Sequence, residues 1–204
     1  MYLFSLCFQC FFVVYSGVFH PGPRPQANPF TILRAVARLK RPPIINMNKQ
    51  ISNILFVCIG NICRSPFAQG LFTNKLRQEG HKDFYADSAG LLALPGNSVT
   101  FLAQKVAAEH GVDLSGHKAK RLSQKLVDWA ELILVMEKAH KDELLADFSE
   151  AADKTFLLRR FARFGSRNRG IADPYGLQYD AYRFCFIDIE DSVSGLVDHL
   201  IHQV

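Results

Sequence analysis

Five residues separate a cysteine from an arginine in Cys58-Ile59-Gly60-Asn61-Ile62-Cys63-Arg64-Ser65. The stretch follows a run of strand-forming residues, Asn53–Val57, and precedes a segment that opens on Pro66 and reads as a helix to Glu79. A loop wrapped in front of a helix N-terminus turns several backbone N–H groups inward and makes a nest for an anion. Gly60 and Asn61 tolerate the positive φ that such a turn needs. Cys58, at the strand end, falls at the bottom of the nest. The N–H groups, the helix dipole and Arg64 all favour a thiolate there over a thiol. Arg64 can grip two phosphate oxygens at once, and Ser65 can donate a hydrogen bond to the sulfur. The chemistry this spells is nucleophilic attack on a phosphoryl group. An isolated cysteine after a strand is ordinarily a small buried apolar residue, and an isolated arginine a surface charge. The glycine and asparagine inside the loop, and its place at a strand-to-helix junction, set that plainer reading aside.

A partner for this chemistry stands far along the chain, in Asp173-Pro174-Tyr175. Hydrolysis of an aryl phosphate expels a phenolate whose acid has a pKa near ~10. Protonating that oxygen in the transition state contributes ~10²–10⁴-fold. An aspartate on a loop facing the nest could deliver the proton. Pro174 biases Asp173 toward an extended backbone, and Tyr175 can stack on a substrate ring. Read alone, Asp-Pro-Tyr is an ordinary turn; only the nest gives it a function.

These residues need elements to hold them. Phe84–Ala89, Glu131–Met136 and the weaker Lys154–Leu158 read as further strands. Ser98–His110, ended by Gly111, and Lys138–Asp147 read as helices. Tyr179–Ile201 reads as a long closing helix with Phe184, Ile187, Val193, Leu196, Val197 and Leu200 on its apolar side. Strands alternating with helices imply βαβ units, hence an α/β fold with a parallel sheet between helices. Sites in such sheets lie at the carboxyl ends of strands, where the 58–65 loop falls.

The segment CIGNICRSP preceded by ILFV resembles the signature of the low molecular weight protein tyrosine phosphatases. Supporting stretches are Asp87-Ser88-Ala89-Gly90, the run Gly111–Ala119 and Ala172-Asp173-Pro174-Tyr175. The resemblance extends from about Ile51 to the C-terminus. It implies a four-stranded parallel sheet flanked by helices on both faces, with a phosphatase loop after the first strand. It also implies a phosphocysteine mechanism with Cys58, Arg64 and Asp173 as catalytic residues. Ile59, Gly60, Asn61, Ile62, Cys63 and Ser65 would shape the phosphate site, braced by Ser88 and His117, with Tyr175 and Leu94 as the substrate wall. A lone histidine is often just a solvated or satisfied residue, so His117 carries both readings. Asp87 reads as structural and Cys185 as core. Family members with this pair of loop cysteines can join them, which implies a Cys58–Cys63 disulfide on oxidation.

The flanks AGLLALPG and VAAEHGVDLSGH look most like the bacterial branch, which acts beside exopolysaccharide tyrosine kinases. The implied partner is a tyrosine-phosphorylated protein, such as a kinase of that type. The sequence also departs from the family. Gln69 stands where glutamate is common. Gly176-Leu177-Gln178 replaces the basic residues that follow Asp-Pro-Tyr in bacterial relatives. The Leu92–Leu94 wall lacks the tryptophan of other branches. These changes bear on substrate preference, not on the reaction.

Composition is that of a globular protein: the 204 residues are 49% apolar and 21% charged. The net charge of +5 comes from residues 1–46, which hold Arg24, Arg34, Arg38, Lys40 and Arg41 and no acid. Without those five, 19 basic residues face 19 acidic ones, so nothing points to nucleic acid. Six of the nine prolines also precede position 47. That border marks residues 1–46 as an extension outside the fold and 47–204 as the phosphatase domain, with Met47 the expected start. The uncharged Met1–Phe19 leaves an anchor or targeting segment as the alternative, although no basic region precedes it as a signal peptide requires. Cys7 and Cys10 have no second pair or strand-helix context to suggest zinc or redox chemistry. The domain itself is expected in the cytoplasm, away from membrane.

Neither metal nor cofactor is expected, because the nest and Arg64 supply the charge stabilisation and no cluster with ligand spacing is evident. Two rival functions fit the same loop. An arsenate reductase needs further cysteines near the site, and neither Cys185 nor the leader pair stands at a resolving position. A non-catalytic phosphoprotein-binding module should lack Cys58, Arg64 or Asp173, and all three are present.

Overall fold

A computed structural model describes residues 51–201. The extension with Cys7 and Cys10 lies outside the described residues. The elements run β1 (Asn53–Cys58), α1 (Arg64–Gln78), β2 (Tyr85–Gly90), α2 (Phe101–Glu109), α3 (Gln124–Trp129), β3 (Leu132–Val135), α4 (Lys138–Asp147), β4 (Thr155–Leu157) and α5 (Tyr179–Ile201). All pairings are parallel, in the order β2-β1-β3-β4. Central β1 thus has neighbours on both sides: Cys58 lies opposite Gly90, and Val57 opposite Val135.

The two-residue repeat of β1 assigns its side chains to two cores. Ile54, Phe56 and Cys58 pack with α1, α2 and α5, whereas Leu55 and Val57 pack with α3 and α4. On the first face Phe67 stacks on Phe186 with centroids 3.9 Å apart, which clamps the first turn of α1 to α5. That clamp fixes the helix N-terminus beneath the 58–65 loop. Thr100 caps α2 by accepting from the Ala103 N–H at 3.2 Å.

The expected strands and helices are present, with shifted ends. Helix α1 begins at Arg64 rather than Pro66, and α2 at Phe101 rather than Ser98. Strand β4 is only three residues long, set between 3₁₀ turns at Ser149–Lys154 and Leu158–Phe161. Helix α3 escapes a periodicity reading because it spans only six residues and buries one side chain, Val127.

One expectation is corrected. Phe184 and Ile187 do not lie on the buried side of α5: they are 71% and 52% exposed. The core stripe runs through Tyr182, Cys185, Phe186, Ile189, Val193, Leu196, Val197 and Leu200. At 100° per residue, Phe184 falls about 200° from Phe186, on the far side of the helix.

Candidate active site

The 58–65 loop closes on itself through its own polar groups. Asn61 adopts φ 53°, the single non-glycine positive φ among the described residues. Asparagine tolerates that region better than most residues, and here every polar group of the side chain is used. Its Nδ2 donates to Ser65 Oγ and to Ser88 Oγ, both at 2.9 Å, and its Oδ1 accepts from the Lys120 N–H at 2.9 Å. Its backbone N–H donates to Cys58 Sγ at 3.3 Å. Gly60 takes no positive φ. Gly90, at the end of β2, is the glycine that close approach requires, because a Cβ there would strike the Ile59 carbonyl oxygen and the Asn61 nitrogen.

Cys58 is buried, with Sγ 3.0 Å from Ser65 Oγ. Ser65 accepts from Asn61, so its one hydrogen is left for the sulfur or for the Ala89 carbonyl at 3.3 Å. Ser88 passes its own hydrogen to Gln69 Oε1 at 2.7 Å, and Gln69 Nε2 donates to the Ala86 carbonyl. The glutamine that departs from the family pattern is therefore part of the brace. His117 Nε2 lies 3.0 Å from the Asn61 carbonyl oxygen. Burial pushes its pKa below the ordinary imidazole value, against the pull of that carbonyl. A neutral ring with its hydrogen on Nε2 donates to Asn61. Asp87 is paired with Lys120 Nζ at 2.6 Å, a structural role.

Arg64 is 2% exposed and held from behind. Its Nη1 donates to Glu137 Oε1 at 2.5 Å and to the Ile171 carbonyl at 3.1 Å. Its Nη2 donates to Asp173 Oδ2 at 2.5 Å. Burial alone would make the guanidinium easier to deprotonate, but Glu137 and Asp173 outweigh it and hold the charge. Nε–H and the second Nη2–H lie along one edge of the guanidinium, a geometry suited to two oxygens of one anion.

Glu137 is a residue the sequence reading missed. It is the N-cap position of α4, two residues past β3. An acidic residue at the carboxyl end of a strand beside β1 was the available signal. His140, one turn later and 3% exposed, places Nε2 3.5 Å from the same Glu137 oxygen. Lys120 was missed too, since it reaches Asn61 only through a long-range bridge between Gly90 and Arg121.

Asp173 comes to the loop on a turn of its own. Its Oδ1 accepts from the Tyr175 N–H at 3.1 Å. The Leu177 N–H donates to the Pro174 carbonyl, and Gly176, at φ 76°, permits that turn. The Ile171 N–H ties the approach to the Met136 carbonyl at the end of β3. Cys58, Ile59, Gly60, Ile62, Cys63, Arg64, Asp173 and Tyr175 line one cavity of about 140 Å³. Leu94 is not brought there: it is 68% exposed and absent from the lining. Cys63 turns its sulfur toward Thr100 Oγ1, at 3.4 Å, and burial pushes its thiol up to about 11. Cys185 is buried in the core, and burial raises its thiol as well.

Residues 53–204 match the family model "Low molecular weight phosphotyrosine protein phosphatase". The chain belongs to the low molecular weight protein tyrosine phosphatase family. It is 38% identical over 150 residues to the probable low molecular weight protein-tyrosine-phosphatase EpsP of Ralstonia solanacearum, covering 74% of this chain and 97% of that one. It is 37% identical over 147 residues to a protein-arginine-phosphatase of Geobacillus stearothermophilus, covering 72% and 95%. Among solved structures, the tyrosine phosphatase AmsI of Erwinia amylovora superposes with a TM-score of 0.68 at 35% identity, covering 76% of this chain and 96% of that one. Low molecular weight phosphatases are hydrolases that act through a phosphocysteine. The four-stranded parallel sheet implied by the resemblance is the sheet found here.

Proposed function

We propose that this phosphatase hydrolyses phosphotyrosine in proteins, with Cys58 as nucleophile, Arg64 as phosphate clamp and Asp173 as general acid and base. The observation that carries the reading is the convergence of these three groups on one cavity. Cys58 thiolate attacks phosphorus in line, forming the S–P bond as the P–O bond to the phenol breaks. Asp173 gives its proton to the departing oxygen. The Arg64 edge and the loop amides hold the equatorial oxygens as they take up charge. Water then attacks the phosphocysteine, Asp173 takes its proton, and the P–S bond breaks to return the thiolate and release inorganic phosphate.

The wall favours an aryl group. Ile59, Ile62 and Tyr175 offer apolar surface that suits an aryl ring, and Asp173 is the one carboxylate in the lining that a phosphoarginine guanidinium could use. The similarity to protein-arginine-phosphatases makes the comparison worth measuring. With matched peptides, kcat/KM for phosphotyrosine should exceed that for phosphoarginine at least tenfold, and mass spectrometry should find phosphate on Cys58 after rapid quench. A preference for phosphoarginine would overturn the substrate assignment.

Resemblance to the bacterial branch supports an exopolysaccharide-type tyrosine kinase as the phosphoprotein. Among the described residues no helix is long and apolar enough to cross a membrane. The domain would comprise residues 47–204.

The two loop cysteines support a redox reading as well. Peroxide would convert the Cys58 thiolate to a sulfenic acid, and the Cys63 sulfur would displace its hydroxyl as water. Held as a thiol, Cys63 is not itself the first target of oxidation. The full chain should therefore regain most of its activity when peroxide is followed by dithiothreitol. Cys63→Ser should turn over near normally but recover poorly. Recovery equal to that of the unaltered protein would show that Cys63 does not protect Cys58.

A further inference from the structure

Helix α5 carries two large apolar side chains that its core stripe does not need. Phe184 and Ile187 stand three residues apart, hence on neighbouring turns of one face, and both are more than half exposed. Leu177, 56% exposed, approaches them from the Asp173 turn. With Pro174 and Ala181 they line a groove of about 390 Å³. The charged rim is neutralised internally, since Arg169 pairs with Asp188 at 2.8 Å. A contiguous apolar surface kept in water is costly and marks a contact site.

The groove adjoins the catalytic cavity at Asp173, which lines both. Pro174 and Leu177 belong to the turn that presents it. A phosphotyrosine seated over Cys58 has its flanking backbone within reach of this rim, since an extended chain covers about 3.3–3.6 Å per residue. The residues just after Asp-Pro-Tyr are Gly176-Leu177-Gln178, none of them charged. The local recognition surface is thus apolar rather than cationic.

Resting on the phosphotyrosine reading above, we infer that this groove is a specificity subsite for a large apolar side chain of the substrate protein, a few residues from the phosphotyrosine. The occupant is the substrate itself. A second copy of this chain would be a different outcome of the same test.

The test scans a single phenylalanine through positions −4 to +4 of a phosphotyrosine peptide otherwise made of Gly, Ser and Glu. p-Nitrophenyl phosphate, too small to reach the groove, serves as reference substrate. At least one phenylalanine position should raise kcat/KM about tenfold over the all-polar peptide, mainly through KM. Phe184→Ser with Ile187→Ser should erase that advantage and leave p-nitrophenyl phosphate turnover unchanged. Leu177→Ser should reduce the advantage in part. No gain at any position, or a gain that survives the double variant, overturns the subsite. So does a fall in sedimentation mass with no change in peptide preference, which would assign the face to self-association. Hydrolysis of the peptides as such is a separate readout. Failure of every phosphotyrosine peptide in the scan, alongside p-nitrophenyl phosphate turnover, would refute the phosphotyrosine reading, and the subsite with it.

Discussion

Cys58→Ser should abolish turnover of p-nitrophenyl phosphate, by a factor on the order of 10⁴ or more, because a covalent route disappears with its nucleophile. A serine hydroxyl stays protonated at neutral pH, and the groups around Cys58 stabilise a sulfur anion without supplying a base strong enough to ionise an alcohol. The substitution is nearly isosteric, so the fold should hold. The anion site should hold too, because its parts lie elsewhere. Arg64 is fixed by Glu137 and the Ile171 carbonyl, and the loop is fixed by Asn61. Vanadate or orthophosphate should therefore still bind, measurably by calorimetry. Retention of more than about a tenth of the normal rate would remove Cys58 from the nucleophile's role. Loss of anion binding together with activity would instead mean that the sulfur holds the loop in shape.

What the sequence made legible was whatever lies close together along the chain. The nest is eight consecutive residues between a strand and a helix, and the types themselves announce the turn. The alternating faces of β1 are likewise local, since a two-residue repeat needs no knowledge of partners. Glu137 and Lys120 were illegible for the opposite reason. Each acts on a group 59 or more positions away, Lys120 on Asn61 and Glu137 on Arg64, and only the parallel register of β3 and β2 beside β1 brings them there. Leu94 was carried by resemblance alone, and the structure leaves it outside the cavity lining. Phe184 and Ile187 were misplaced because hydrophobicity was read as burial. On α5 the stripe through Phe186 and Ile189 already fills the contact with α1, so two further apolar residues could only face outward.

Asp173→Asn tests the second half of the mechanism, and the informative quantity is a slope rather than a rate. Asparagine keeps the acceptor that holds the Tyr175 N–H, so the turn should survive. It loses the transferable proton and also the carboxylate that touches Arg64. The second loss alters the electrostatics of the cavity for every substrate alike, so a uniform fall in rate would say nothing about proton transfer. The first loss is selective. Phenyl phosphate expels a strongly basic oxygen and should lose about 10²–10⁴-fold, whereas 2,4-dinitrophenyl phosphate expels a stable phenolate and should lose little beyond the uniform part. The comparison must be made on kcat/KM. That ratio covers only the steps through departure of the phenol, whereas kcat also includes phosphocysteine hydrolysis, in which Asp173 acts as base and which is common to all substrates. A plot of log kcat/KM against leaving-group pKa should be shallow for the unaltered protein and steep for the variant. Parallel lines would show that Asp173 does not protonate the leaving group and acts on Arg64 alone.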